Sequence, residues 1–241
     1  MRRDAREAVI PAEALTLPGV PAVTVALRRS ARARRMSLRV SGIDGRVTLS
    51  LPRSVARSEA MAFLRAREDW LRRHLAAVPE PTVVAPGVAL PVQGLVHRVT
   101  AAPVRHVTAE GGQLLVPGDA PTGPRVAAWL RGRARECLSA AIAAHAEVLG
   151  RAPGRITLRD TRSRWGSCTA AGNLNFSWRL VMAPPEILDY VAAHEVAHLV
   201  QMNHSRAFWA EVARLCPDHR ARARWLRANG AALHRWRFEA C

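Results

Sequence analysis

The chain has 241 residues, 49% of them apolar, and a formal net charge of +17. That length and apolar content suit one or two globular domains with a proper core and exclude a disordered chain. No uncharged apolar stretch is long enough to span a membrane. The first thirty residues mix Arg with Asp4, Glu7 and Glu13 and lack the apolar run of a secretory signal. Cys137, Cys168, Cys216 and Cys241 show no CxxC pairing, which speaks against a disulfide framework and for a reduced, cytoplasmic setting. All 36 basic residues are Arg, spread evenly: 18 against 10 acids over residues 1–124, and 18 against 9 over residues 125–241. Such a surface admits nucleic acid as a partner, but composition alone does not select it.

In chain order, residues 1–27 alternate Pro with short apolar pieces and read as mostly irregular. An Arg cluster, Arg28 to Arg35, runs into Met36–Val40. A Gly-rich turn at Gly42–Gly45 and the alternating segment Val47–Leu51 complete a β-hairpin. Pro52 stops the second strand, and a helix follows over about Val55 to Leu75, with Met61, Leu64, Trp70, Leu71 and Leu75 on its inner stripe. Pro79 to Pro91 reads as a linker. Short strands follow around Val92–Thr100, Arg105–Thr108 and Gln113–Val116. Val126 to Leu149 is rich in Ala, Leu and Ile and predicts a long helix. Ile156–Leu158 and Asn173–Leu180 read as strands. A helix from about Pro185 to Val200, another from near Ser205 and an Arg-rich one over Pro217–Asn229 complete the chain. The organisation expected is an irregular segment 1–27, a hairpin, helix and small-strand region 28–124, and a domain 125–241.

The string HEVAHLVQMNH spans residues 194–204. Positions i and i+4 share one helical face, so His194 and His198 can grip one metal ion, with Glu195 beside them to polarise a metal-bound water. The spacing Ile187, Val191, His194, His198 predicts an amphipathic helix with both His turned inward. A lone His on such a face is ordinarily a satisfied core side chain. A pair enclosing Glu195, with His204 beyond, asks for another explanation. His204 must come from outside the helix: Asn203 in the left-handed conformation would turn the chain, and Ser205 would cap the next helix. Glu211 is the rival third ligand and His219 a more distant one. Three protein ligands leave a position for water, whose pKa zinc lowers from about 15.7 to about 7. Glu195 would take that water's proton and pass it to a leaving amine. Arg162, Arg164 and His219 are candidates for steadying the oxyanion.

Upstream lie Arg162–Cys168 and the aromatic segment Asn173–Trp178. They read either as a hairpin whose Trp and Phe build the core, or as an edge strand that pairs with an extended peptide. On the second reading Arg164, Trp165, Gly166 and Ser167 are substrate-binding residues. Cys168 as a fourth ligand would close the site and make it structural.

The pieces Arg164–Cys168 (RWGSC), His194–His198 (HExxH) and Asn203-His204-Ser205 with Phe208-Trp209 resemble the YgjP-like zinc metallopeptidases, relatives of SprT-like and minigluzincin proteases. The Arg cluster, the hairpin ending in Leu51-Pro52 and the helix containing Trp70 fit as well, so the resemblance covers residues 28 to 237. It implies an α+β, zincin-like core with a small mixed sheet above the active-site helix. It also implies one Zn2+ held by His194, His198 and His204, with Glu195 as general base. SprT-like relatives include proteases acting on DNA-bound proteins. The Arg-rich tail after Asp218 departs from the pattern, and no role follows for it. The expected function is a zinc-dependent metalloprotease acting on a protein or peptide. The alternatives are a non-proteolytic zinc hydrolase and a nucleic-acid-associated protein whose zinc is structural or vestigial.

Overall fold

A computed structural model describes residues 13–119 and 121–239. Asp4, Glu7 and Cys241, which entered the reading of compartment, lie outside the described residues. The fold is α+β, and it divides into two compact units at Pro79/Glu80.

The first unit carries strands β1 (Ala14–Leu17), β2 (Val23–Arg29), β3 (Ser37–Val40) and β4 (Val47–Leu51), in the order β1-β2-β4-β3. β1–β2 and β3–β4 are antiparallel and β2–β4 is parallel. Leu15, Leu17, Val23, Val25, Leu27, Val47, Leu49 and Leu51 alternate onto one face. They bury against Ala60 and Leu64 of α1 (Arg57–Arg65) and Leu71 of α2 (Glu68–Ala76). The hairpin forms as expected, with Ser37 opposite Ser50 and Val40 opposite Val47. Two features differ from the sequence reading. Residues 14–17 and 23–29 are strands, not irregular: their period-two pattern is interrupted by the Pro18–Pro21 turn. The single helix expected over Val55–Leu75 is two, because Arg67 leaves the helical region (φ −121°, ψ 16°).

The second unit opens with β5 (Thr82–Val83) inside the expected linker. A four-stranded sheet follows, of β6 (Ala89–Val92), β7 (Leu95–Ala102), β8 (Thr108–Glu110) and β9 (Gln113–Pro117), in the order β6-β7-β9-β8. The long helix α3 (Thr122–Leu149) ends at Gly150, whose φ of 70° only glycine adopts without strain. A second sheet, β10 (Ile156–Arg159), β11 (Gly166–Cys168) and β12 (Leu174–Ser177), has β12 at its centre and β11 on an edge. The strand expected to run to Leu180 gives way at Trp178 to a 3-10 turn, Trp178–Met182. Then come α4 (Pro185–Ala197), α5 (Arg206–Leu215), α6 (His219–Asn229), a 3-10 turn (Gly230–His234) and β13 (Trp236–Arg237), which pairs in parallel with β5. Among the described residues no helix is long and apolar enough to cross a membrane.

α4 is the centre of this unit. Ile187, Leu188, Tyr190, Val191, Ala192, Ala193, Val196 and Ala197 are all buried, so the helix is covered on nearly every side rather than along one stripe. The Arg-rich tail helps to cover it. Arg222 of α6 donates to Asp189 of α4 at 2.7 Å, and Asp189 also pairs with His145 of α3 at 2.7 Å. The His145 hydrogen bond, and then Arg222, hold the Asp189 carboxyl below the usual range.

Arg179, in the first 3-10 turn, is 6% exposed. It grips Asp160 through two hydrogen bonds of 2.6 and 3.1 Å, and donates to the Leu233 and Trp236 carbonyls, each at 3.1 Å. Burial pushes the Asp160 carboxyl up, but the guanidinium more than offsets this and holds it below its ordinary range. Arg179→Ala should therefore lower the unfolding free energy by about 2–4 kcal/mol in urea denaturation, chiefly by orphaning two buried carbonyls. Asp160 is half-exposed, and solvent screening keeps its share small. That share is present above the ordinary aspartate value of about 3.9 and lost as pH falls through the lower folded value, so the gap between wild type and variant should narrow only in acid.

Candidate metal centre

α4 begins at Pro185, whose missing N–H costs nothing at the first helical position. It ends at Ala197, with His198 as its C-cap, still right-handed (φ −65°, ψ −16°). His194 and His198 therefore keep their one-turn spacing, although the helix stops three residues short of the expected Val200. The chain then reverses without a left-handed Asn203. Among the described residues Gln93 is the one non-glycine with positive φ. Instead the Asn203 side-chain carbonyl accepts the Ser205 N–H at 3.2 Å, a local turn that needs no strained backbone. Ser205 caps α5 as expected, accepting the Phe208 N–H at 3.4 Å.

This junction brings His204 back over α4. One ligand atom from each of His194, His198 and His204 lies within 4.8 Å of the others. The Nε2 atoms of His194 and His204 are 3.2 Å apart. Two donors of a tetrahedral zinc at bonds of about 2.0–2.1 Å would be separated by about 3.3–3.4 Å, so the spacing fits. His198 donates its Nδ1 proton to the Gln201 carbonyl at 3.0 Å, which leaves the lone pair on Nε2 and fixes the ring. His194 Nδ1 is buried without a hydrogen-bond partner. Burial, reinforced by the neighbouring imidazoles, pulls the His194 pKa down to about 4 and that of His198 down as well. His194 and His198 are thus held neutral, the form a metal requires. Phe208 stacks on His198 (4.4 Å between centroids) and meets the other two edge-on, so all three rings are packed in place.

Glu195 is 5% exposed, and burial lifts its carboxyl pKa to about 7 against the opposing pull of Arg164 and the Cys168 N–H. Strand β11 lies directly over it. A Cβ on Gly166 would come 2.5 Å from Glu195 Cγ and 2.6 Å from Oε1, so only glycine fits there. Gly166, Ser167 and Arg164 also line a cleft of about 290 Å³ with Arg159, Thr161, Ser163, Asn175 and Phe176. Trp165 turns away from this cleft: its ring packs on His234 (5.1 Å) and against Gly230. The other candidates stand apart. Glu211 is engaged by Arg214 at 2.9 Å, and His219 stacks on Trp209 with Nδ1 against the Cys216 carbonyl. The Cys168 thiol, raised by burial and then by Glu195, donates to the Thr169 carbonyl. Arg162 exerts its charge on His234. The sequence reading missed Asp189, His145 and Arg222, which brace α4 from behind. Its only signal was an acid on an otherwise apolar helix.

A family model described as YgjP-like, metallopeptidase domain, matches residues 34–229. The chain belongs to the YgjP-like family. Membership makes it a metallopeptidase, with peptides or proteins as the substrate class. The metallopeptidase zymogen of Pyrococcus abyssi abylysin is similar at 23% identity with a TM-score of 0.35, covering 39% of this chain and 92% of that one. No curated protein matches.

Metal content decides between the third-ligand candidates. His204→Ala should lose tight zinc on dialysis, with affinity down by about 10²-fold or more, whereas Glu211→Ala should keep it. The reverse pattern, read by elemental analysis, would replace His204 with Glu211.

Proposed function

We propose that this YgjP-like protein is a zinc-dependent peptidase in which His194, His198 and His204 hold the ion and Glu195 is the general base. The observation that carries this reading is the convergence of three imidazoles, with the pKa values of His194 and His198 lowered by burial, beside a buried carboxyl of raised pKa. Zinc bound by three imidazoles supplies Lewis-acid polarisation of a carbonyl and an acidified water.

The chain's own groups supply the rest. Glu195, with a proton affinity near neutrality, can take the proton of an attacking water on its carboxylate and return it to the departing amine nitrogen. Among the described residues β11 is an edge strand beside it, against which an extended peptide can pair through its main chain, with Arg164, Gly166 and Ser167 as neighbours. Trp165 serves this edge indirectly, by anchoring the strand's entry through its packing on His234. The free thiols of Cys137, Cys168 and Cys216 support a reducing, cytoplasmic setting.

Glu195→Gln should retain zinc and lose cleavage of an unfolded protein substrate by about 10²- to 10⁴-fold. Undiminished cleavage would remove Glu195 from the chemistry. Gly166→Ala should also retain zinc, yet lose about 10²-fold in turnover because the added methyl displaces the carboxyl. A rate equal to wild type would show that the glycine serves folding alone.

A further inference from the structure

The outer face of the first unit's sheet is polar and basic. With the apolar residues turned inward, the opposite face presents Thr16 of β1, Thr24, Ala26 and Arg28 of β2, Thr48 and Ser50 of β4, and Ser37 and Arg39 of β3. The register sets these in rows: Arg28, Ser50 and Ser37 in one, Ala26, Thr48 and Arg39 in the next. Among the described residues no acid and no large apolar side chain interrupts them. Helices α1 and α2 pack on the other face.

Charge concentrates in the same stretch of sequence. Between Glu13 and Asp44 the sequence holds six Arg and no acid. Arg29 is matched by Glu13 at 2.9 Å. Arg28, Arg32, Arg34, Arg35 and Arg39 are exposed, and their side chains make no ion pair or hydrogen bond among the described residues. Arg32, Arg34 and Arg35 lie in the β2–β3 connection, which leaves the sheet at the end marked by the Arg28–Ser50–Ser37 row. Five exposed guanidiniums without a partner among the described residues, set around a sheet face of hydroxyls, make a positive field that an extended anion lying across them would relieve.

We propose that this face docks the phosphodiester backbone of a nucleic acid. Guanidiniums grip phosphate oxygens through paired N–H groups, and Ser and Thr hydroxyls donate to the same atoms. The absence of aromatic side chains from the face removes the stacking platform that single-strand binders use, so recognition is of the backbone, independent of base sequence, and suited to a duplex. The absence of large apolar side chains disfavours a bilayer, which an interfacial surface must enter.

The test uses the full chain and a fluorescent duplex of arbitrary sequence, titrated by anisotropy between about 50 and about 200 mM salt. Wild type should bind with a steep salt dependence. Exchange of Arg28, Arg34, Arg35 and Arg39 for Ser should cut affinity by more than about tenfold at low salt and flatten the log–log slope by about 3 to 4. A control with Arg105, Arg133, Arg151 and Arg206 exchanged for Ser changes the net charge equally and should leave the slope near wild type. Equal losses in both variants would overturn the proposal, because net charge alone would then bind the duplex. Equal or tighter binding of poly-glutamate, of vesicles rich in phosphatidylserine, or of the matching single strand would also overturn it. Should the quadruple variant fail to fold, phenylglyoxal labelling of wild type decides. Duplex should protect Arg28 and Arg39 while Arg105 stays reactive, and unprotected Arg28 and Arg39 would sink the idea.

Discussion

The second unit depends on keeping one ionisable carboxyl inside an apolar helix. Glu195 is buried on α4 with Ile187, Val191, Ala192 and Val196 of the same helix, and a charge there is expensive unless something nearby receives it. The fold answers on the open side with the Arg164 charge and the Cys168 N–H, and with a strand that passes so closely that its residue must be glycine. On the closed side, Asp189 is hydrogen-bonded by His145 and Arg222 and ties α4 to α3 and α6. The helix is held rigidly by groups that do not touch the cluster, while the cluster's polar atoms are left facing one another.

The clustering of the three histidines was legible because the spacing has a fixed period. His194 and His198 one turn apart say the same thing in any helix, and Ser205 behind Asn203 announced the restart of the chain. Less legible was the manner of the reversal. Asn203 is equally suited to a left-handed backbone and to a side-chain turn, and the residue type does not separate the two. Trp165 was ambiguous for the same reason: an aromatic next to a glycine in an edge strand can face a ligand or the core, and its partner His234 lies far off in sequence.

The fold was legible where strands alternate without interruption, as in Val47–Leu51, and hidden where a turn splits the pattern, as between Leu17 and Val23. The amphipathic reading of α4 failed because a helix covered on all sides has no polar stripe to reveal its orientation. The Arg-rich tail is the sharpest case. Composition marks it as surface, yet Arg222 reaches a carboxylate on the central helix, and Ala223, Trp225 and Leu226 pack on the core between arginines.

The short pairing of β13 with β5 bears on timing. The Thr82 N–H bonds to the Arg235 carbonyl and the Val84 N–H to the Arg237 carbonyl, so the first and last strands of the second unit hold each other. A ribosome delivers Thr82 long before Arg237. Until β13 emerges, α4 has its histidines but lacks this clasp, and closing so long a loop is an entropic cost met after the helices between are made. The clasp joins the two ends of the second unit, and its closure follows the synthesis of every helix between them.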